Sequence, residues 1–187
     1  GEIQPLLKKS IKVSPDFSRP DVLYDQDDVQ IIKATSDHAA YLQDHLRTTD
    51  VRECMIHGAT PWRALHAPLR MKGAETWTGI YKGMPVCMFG TTPVLNNEEM
   101  KTGLIWMLGT DVITTEYRKF LRLSIAVTDY LVEGYDMVEN VVPVDHHKTI
   151  MWLAWLGFVF QEMPTTINGF ECVRFVRCAP QIEVTFQ

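Results

Sequence analysis

The sequence has no apolar segment long enough to cross a membrane. Its uninterrupted apolar runs all fall well short of the ~18–20 residues that span a bilayer. No signal-peptide core stands near its start either. We therefore expect a soluble protein of the cytoplasm that does not act on membranes.

The sequence also lacks an excess of basic residues. It contains 18 lysines and arginines against 23 aspartates and glutamates, which gives a formal net charge of -5 at pH 7. A general nucleic-acid-binding protein would carry a basic surface that attracts phosphates. General nucleic-acid binding is therefore not expected.

Paired cysteine motifs are missing as well. The four cysteines, Cys54, Cys87, Cys172 and Cys178, show no C-x-x-C spacing. Such spacing would be needed to suggest a zinc ribbon, and nothing here suggests a disulfide framework. We expect reduced thiols and no metal centre.

Apolar residues, by contrast, are plentiful enough for one folded domain. They make up 46% of the 187 residues, a length at which a single domain buries ~70% of its unfolded surface. Residues 1–28 differ from the rest, because they combine Pro5, Pro15 and Pro20 with an acidic stretch and show no periodicity. We predict an extended arm over 1–28 and one domain over 29–187.

The hydrophobic patterns and turn residues predict a mixed α/β domain. The predicted strands are 29–33, 75–81, 85–89, 104–108, 137–144, 159–162 and 170–177, and the predicted helices are 36–47, 50–57, one from Pro61, 114–132 and one from Asp145 or His146 to Gly157. Tight turns at Lys82-Gly83 and Asn168-Gly169 join two hairpins. This order favours an antiparallel meander followed by a β-α-β crossover, in a three-layer domain with helices on both faces of the sheet.

The segment from Trp106 to Phe158 resembles the GNAT acyltransferase superfamily. In that family the strand before the long helix is followed by a turn of pattern Arg/Gln-x-x-Gly-x-Gly/Ala, whose backbone N–H groups bind the pyrophosphate of acetyl-CoA. Here the matching turn begins at Arg118, and Leu121 and Leu123 stand in place of the two small residues. The resemblance implies a GNAT-like acyl-CoA N-acyltransferase fold.

The resemblance also implies where acetyl-CoA would bind. The cofactor would lie between strands 104–108 and 137–144. Side chains at the helix start can replace the missing glycine cradle; the candidates are Arg118, Lys119 and Arg122. The same three cations are also typical of a solvated helix end, so both interpretations stay open. The backbone N–H groups proposed to stabilise the thioester oxygen are those of Val112 and Ile113.

The second matching block lacks the family's proton donor. Its pattern Asn-x-x-Ala-x-x-Phe-Tyr-x-x-x-Gly-Phe has His146 at the Asn position and Leu153 at the Tyr position. Leucine carries no exchangeable proton, so His146 is the candidate acid. The central strand holds no carboxylate, and the candidate base is Asp111, with Glu75 as runner-up.

These departures leave two functions open. One is an acetyl-CoA-dependent N-acetyltransferase that acts on an amine of a small molecule or a protein. The other is a catalytically silent GNAT-fold protein, because the pattern over residues 75–163 also resembles GNAT-like internal virion proteins of short-tailed bacteriophages. Such a protein would have lost the cofactor site and would bind a phage or host protein partner, in the virion or in the host cytoplasm.

Overall fold

Nine strands form one sheet and six helices cover it, within the residues that the computed structural model describes, namely 20–94, 99–179 and 186. The strands are β1 (Val22–Gln26), β2 (Val29–Lys33), β3 (Glu75–Tyr81), β4 (Met84–Val94), β5 (Thr102–Gly109), β6 (Met137–Pro143), β7 (Val159–Phe160), β8 (Thr165–Ile167) and β9 (Phe170–Cys178). The helices are α1 (Ser36–Leu42), α2 (Thr48–Ile56), α3 (Pro61–Arg70), α4 (Asp111–Thr115), α5 (Tyr117–Val132) and α6 (His147–Trp155). The predicted mixed α/β class is confirmed.

The sheet is antiparallel except at one place. The strand order is β1-β2-β3-β4-β5-β6-β9-β7, and β8 pairs with β9. Strands β5 and β6 are parallel, because helix α5 carries the chain back between them. An antiparallel meander and a second antiparallel group therefore meet at the β5–β6 pair.

Helices bury both faces of the sheet. Helices α1, α2 and α3 pack on one face, where Leu42, Leu65 and Met88 are fully buried. Helix α5 packs on the opposite face over Trp77, whose ring meets that of Tyr130 edge-on at 6.1 Å. Helix α6 covers β6 and β9 on that same face. Helices α2 and α6 thus flank the β5–β6 pair from opposite faces.

The sheet begins earlier than predicted. Strand β1 lies inside the predicted arm 1–28, where it pairs with β2 and buries Leu23 and Tyr24. The acidic residues that suggested an arm include Asp27, which turns the chain with a φ of 57°. Residues 1–19 of the predicted arm lie outside the described residues.

The first helix is shorter than predicted. Helix α1 begins where expected, because the Thr35 side chain accepts a hydrogen bond from His38 N–H at 3.3 Å. It ends at Leu42 instead of residue 47, since Arg47 binds the end of β5 and starts helix α2. Helix α2 therefore starts at Thr48, two residues before the predicted position.

The predicted helix 114–132 is two helices. The Thr110 side chain caps α4 by accepting a hydrogen bond from Val112 N–H at 3.3 Å. Helix α4 ends at Thr115, because the next residue, Glu116, has a non-helical φ of -109° and ψ of 29°, and α5 starts at Tyr117. A separate short helix therefore stands between the central strand and the long helix.

The two predicted turns are confirmed, although one hairpin uses a different strand. Lys82-Gly83 and Asn168-Gly169 all have positive φ, from 47° to 83°, as two-residue hairpin turns of this type require. The second turn joins β9 to β8, whereas the predicted partner 159–162 contributes only the short strand β7, which pairs further along β9.

Candidate active site

Strands β5 and β6 separate soon after they meet. Their pairing covers three residue pairs and ends at Leu104 and Glu139, although β5 continues to Gly109 and β6 to Pro143. Residues 104–107 of β5 are partly exposed, although β5 lies in the middle of the sheet. A gap therefore opens between the two strands toward their carboxyl ends.

On the edge of β5 that faces this gap, the backbone N–H and C=O of Met107 have no partner among the described strands. In an antiparallel pair, backbone groups alternate between the two edges of a strand. Thr110 N–H bonds to β4, so Ile105, Met107 and Gly109 turn their groups toward the gap. Pairing with β6 ends before Met107, and its N–H and C=O face the opening.

Ile105 and Gly109, which lie on either side of Met107 along this edge, have hydrogen-bonded backbone groups. The Asn140 side chain of β6 donates a hydrogen bond from Nδ2 to the Ile105 carbonyl at 2.6 Å. At the other end, Arg47 N–H donates to the Gly109 carbonyl at 2.9 Å, and Gly109 N–H donates to Asp50 Oδ2 at 2.7 Å. Asn140 thus bounds the gap on the side where β5 and β6 pair, and the start of helix α2 bounds it at the carboxyl end of β5.

Helix α2 presents three titratable side chains to this region. Asp50, Glu53 and His57 occupy positions i, i+3 and i+7, which share one face of a helix. Asp50 binds the end of β5, and Glu53 faces the β6–α6 loop. Partial burial lowers the pKa of His57, and the Asn140 side chain opposes this lowering. These three residues were not predicted as a site, although their helical spacing is visible in the sequence.

Asp50 is the most deeply buried carboxylate of the set. Only 2% of the residue is exposed, and Arg47 binds its two oxygens through Nε and Nη2 at 2.9 and 3.1 Å. Burial raises the pKa of Asp50, while the Arg47 charge and Gly109 N–H oppose the rise. Arg47 also donates from Nη1 to Thr114 Oγ1 at 3.2 Å, which ties α4 to α2.

Glu53 and His146 face each other across the end of the gap. Oε1 of Glu53 lies 3.7 Å from Nδ1 of His146, which is the residue before α6. Burial and the nearby Asp50 charge raise the pKa of Glu53 to about 8. Burial lowers the pKa of His146. The His146 Nε2 atom is buried and has no hydrogen-bond partner among the described residues.

Of the two predicted bases, one lies far from His146 in the sheet and the other lines a cavity. Glu75 accepts a hydrogen bond from the Tyr130 hydroxyl at 3.3 Å on the α5 side of β3, and β4 separates β3 from β5. Asp111 is exposed at the first position of α4. It lines a cavity of about 480 Å³, together with Tyr41, Tyr81, Lys82 and Glu116 among others.

The predicted amide donors are already used inside α4. Val112 N–H donates to the Thr110 side chain, and Ile113 N–H donates to the Thr110 carbonyl at 3.1 Å. No residue from 109 to 132, a range that the structure describes in full, has a positive φ. Residues 118–123, where the family pattern places its glycine turn, therefore lie within helix α5, directly after the short helix α4.

The start of α5 carries exposed cations. Arg118 and Lys119 are exposed, as is Arg122 one turn further along. The Arg118 guanidinium donates a hydrogen bond to the Tyr117 hydroxyl at 3.3 Å and lowers the pKa of Tyr117, with a smaller contribution from Lys148 of α6. Positive side chains of both helices thus gather at this end of the molecule.

The two leucines that replace the family's small residues are not equivalent. Leu123 is 5% exposed and belongs to the core between α5 and the sheet. Leu121 is half-buried, and its carbonyl accepts a hydrogen bond from Ser124 Oγ at 2.5 Å. Ser124 in turn accepts from Trp152 Nε1 at 3.1 Å, which joins α5 to α6. Leu153, at the position of the family's tyrosine, is buried in the core.

Two general features of the described residues complete the site. None of their helices is long and apolar enough to span a membrane. Among the same residues, no group of three or more His, Cys, Asp or Glu side chains could hold a metal ion.

Solved structures of acetyltransferases share this architecture. The chain is similar to ribosomal-protein-S5-alanine acetyltransferase from Vibrio fischeri, with 12% identity over 86% of this chain and 98% of the other and a TM-score of 0.60. It is similar to a GNAT-family acetyltransferase from Streptococcus pneumoniae, with 10% identity, 81% and 99% coverage and a TM-score of 0.55. It is also similar to aminoglycoside acetyltransferase AAC(6')-Ib in complex with coenzyme A, with 15% identity, 80% and 94% coverage and a TM-score of 0.58.

By sequence, the chain matches no family model and no curated protein. The structural likeness, at these low identities, concerns the fold. The predicted GNAT-like acyltransferase fold is therefore confirmed.

Proposed function

We propose that this protein is an N-acetyltransferase that moves the acetyl group of acetyl-CoA to an amine of a small molecule or a protein. The observation that carries this proposal is the gap between β5 and β6, where the backbone groups of Met107 face the opening and a buried His146 stands at its carboxyl end. A fold with this likeness to coenzyme A complexes supports the choice of cofactor.

The residues around the gap fit one part of acetyl-CoA better than another. An extended arm with amide groups suits the exposed edge at Met107, because it would supply the hydrogen bonds that β6 does not. No glycine turn is present to bind the diphosphate, since residues 118–123 lie within helix α5 and have no positive φ. Exposed side chains would have to bind it instead, and those at hand are Arg118, Lys119, Arg122 and Lys148.

Proton transfer at this site falls to the chain's own side chains. Bound acetyl-CoA supplies the acetyl group, and one proton must pass from the amine nitrogen to the departing sulfur. His146 holds an unpartnered, buried Nε2 that can accept or donate this proton. Asp111 was the base predicted from the sequence, and we propose that its exposed carboxylate on the cavity side attracts and orients a positively charged amine.

The cavity beside Asp111 is the proposed place for the amine. Its wall combines the two carboxylates Asp111 and Glu116 with the aromatic rings of Tyr41 and Tyr81. Rings and carboxylates both attract ammonium groups. The Lys82 ammonium illustrates this, since it lies 5.3 Å from the centre of the Tyr81 ring.

A second candidate function is a silent protein on the same fold. Two specific observations favour it. Residues 118–123, where the family pattern places the diphosphate turn, are helical, and the Asn140 side chain spans the gap to Ile105. Such a protein would bind a phage or host protein rather than acetyl-CoA, either in a bacteriophage virion or in the host cytoplasm. It would show no saturable binding of acetyl-CoA.

Calorimetric and thermal titration with acetyl-CoA tests the proposal. A ligand at 100 times its dissociation constant should stabilise the folded protein by about 2.7 kcal/mol. We expect this stabilisation in the wild type and a roughly five- to tenfold weaker affinity in Arg118→Ala and Arg122→Ala, because each removes a cation near the diphosphate. Arg70→Ala, an exposed arginine on the opposite helical layer, is the matched control. No stabilisation at millimolar acetyl-CoA would reject the enzyme and favour the silent protein.

A further inference from the structure

We infer that Glu53 is the positioning residue of His146: its carboxyl group, held against Nδ1, decides whether Nε2 offers a proton or accepts one in the gap. This inference rests on the proposed function, because it concerns the proton that acetyl transfer must move. It assigns a role to a residue of α2, whereas the bases predicted from the sequence were Asp111, just beyond the central strand, and Glu75 of β3.

Two adjacent contacts hold α2 against the loop that carries His146. The Arg52 guanidinium lies 3.1 Å from the Asp145 carboxylate, and the next residue of each segment forms the Glu53–His146 pair. A third contact fixes the end of α2, where Asn168 Nδ2 donates to the Ile56 carbonyl at 2.7 Å. The Glu53–His146 distance of 3.7 Å is therefore set by the surrounding fold and not by the pair alone.

The charged side chains next to Glu53 and His146 form ion pairs with one another. Titratable and charged groups surround the pair on three elements. They are Arg47, Asp50, Arg52 and the Cys54 thiol from the α2 segment, Asp145 from the β6–α6 loop and the Cys172 thiol from β9. Arg47 binds Asp50, and Arg52 binds Asp145. Among the described ion pairs, that of Glu53 is therefore with His146.

Burial makes this arrangement sensitive to protonation. The His146 side chain is 9% exposed and that of Glu53 is 25% exposed. A buried carboxyl group beside a second carboxylate resists ionisation, and the pKa of Glu53 is accordingly raised to about 8. A purely structural ion pair would instead keep both partners charged and fully hydrogen-bonded.

Each protonation state of Glu53 fixes the opposite tautomer of His146. The distance of 3.7 Å between Glu53 Oε1 and His146 Nδ1 is longer than a hydrogen bond, so a small side-chain rotation must first bring the two atoms together. When Glu53 is protonated, its O–H then donates to Nδ1, so the imidazole hydrogen lies on Nε2 and that atom is a donor. When Glu53 is ionised, it accepts from Nδ1–H, so Nε2 has a free lone pair and takes the proton that the amine nitrogen loses. The imidazolium then gives this proton to the departing sulfur, which restores the starting state with no net proton gained.

Nuclear magnetic resonance of the His146 ring nitrogens tests the inference without any cofactor. In the wild type we expect the His146 signals to change tautomer with a midpoint near pH 8, as Glu53 ionises. Glu53→Gln should abolish that transition, and Glu162→Gln, which removes an exposed carboxylate, should retain it. A transition that persists in Glu53→Gln would overturn the inference. If that variant does not fold, the carbon-13 titration of Glu53 in the wild type decides instead, and a midpoint at the ordinary glutamate pKa overturns it.

A pH profile of acetyl transfer separates this inference from the proposed function. The acceptor probe is hydroxylamine, which is largely neutral from about pH 7 upward, so its own ionisation does not shape the profile. We expect the wild-type kcat to rise toward pH 9 and Glu53→Gln to lose about 10- to 100-fold there, with KM for acetyl-CoA unchanged. An active wild type with an unchanged Glu53→Gln profile would overturn the inference alone. A wild type that neither binds nor turns over acetyl-CoA would overturn the proposed function, and the inferred catalytic role of the pair with it.

Discussion

Replacing Glu53 with glutamine should change how the stability of the protein depends on pH. The folded state raises the pKa of Glu53 from 4.5 to about 8, mainly through burial. Between these two values the unfolded chain has released the proton while the folded chain still holds it. The wild type therefore loses stability as the pH rises from about 4.5 to about 8. Glutamine has nearly the same shape and cannot ionise, so the variant should not show this loss.

The magnitude follows from the displacement of the pKa. One pKa unit corresponds to about 1.4 kcal/mol, so a displacement from 4.5 to about 8 sets an upper limit of about 5 kcal/mol at alkaline pH. A quarter of the Glu53 side chain is exposed, and water screens the carboxylate there. We therefore expect Glu53→Gln to gain about 2–3 kcal/mol of unfolding free energy relative to the wild type between pH 5 and pH 9.

Urea unfolding at pH 5, 7 and 9 measures this difference. Glu162→Gln is the control, because Glu162 is exposed and its replacement should leave the pH dependence of the wild type intact. The titration of His146 cancels between the wild type and Glu162→Gln, but not between the wild type and Glu53→Gln, because His146 contacts Glu53. If the difference in unfolding free energy between the wild type and Glu53→Gln stays constant from pH 5 to pH 9, Glu53 is an ordinary solvated carboxylate and its burial does not raise its pKa.

Three further substitutions test other parts of the structure by urea or thermal unfolding. Arg47→Ala leaves the buried carboxylate of Asp50 without its cation, and we expect a loss of about 3–5 kcal/mol at neutral pH; an effect below 1 kcal/mol would mean that Asp50 is already neutral. Gly90→Ala would place a Cβ atom 1.9 Å from a backbone carbonyl oxygen of β3, which the sheet cannot accept without moving, so we expect a loss of at least about 3 kcal/mol. Asn140→Ala removes the hydrogen bond to the Ile105 carbonyl at the gap, and we expect a loss of about 1 kcal/mol; no change would show that water replaces the amide.

Local turns were predictable because their chemistry is contained in two residues. Lys82-Gly83 lies between two apolar runs, and Gly83 adopts a positive φ that few other residues tolerate. Asn168-Gly169 follows the same rule, although the strand that it joins to β9 was assigned wrongly. Strand β8 has the sequence Thr-Thr-Ile and is half-exposed, so its apolar content gives little sign of a strand.

The candidate site was harder to predict because its central residues are buried only by tertiary contacts. Asp50, Glu53 and His57 read as the polar face of a surface helix, which is what such a stripe usually is. Asp50 and Glu53 lose exposure because Arg47 and Asp50 bind Gly109 at the end of β5, 59 residues beyond Asp50 along the chain, whereas His57 stays exposed. His146 was identified, since it falls within a motif, whereas nothing in the sequence near it points to Glu53.

The burial of charge near the gap bears on the choice between the two candidate functions. Removing a carboxylate from water is unfavourable, and apolar replacement of a buried ion pair is often neutral or stabilising. A scaffold without chemistry has no physical need for an acidic side chain at Glu53 beside Asp50, because burial and the Asp50 charge both raise the pKa of Glu53. An apolar side chain at Glu53 would still allow Arg52 to hold α2 against the loop through Asp145. The unfavourable carboxyl group therefore counts in favour of proton transfer, even though residues 118–123 form a helix instead of the family's glycine turn.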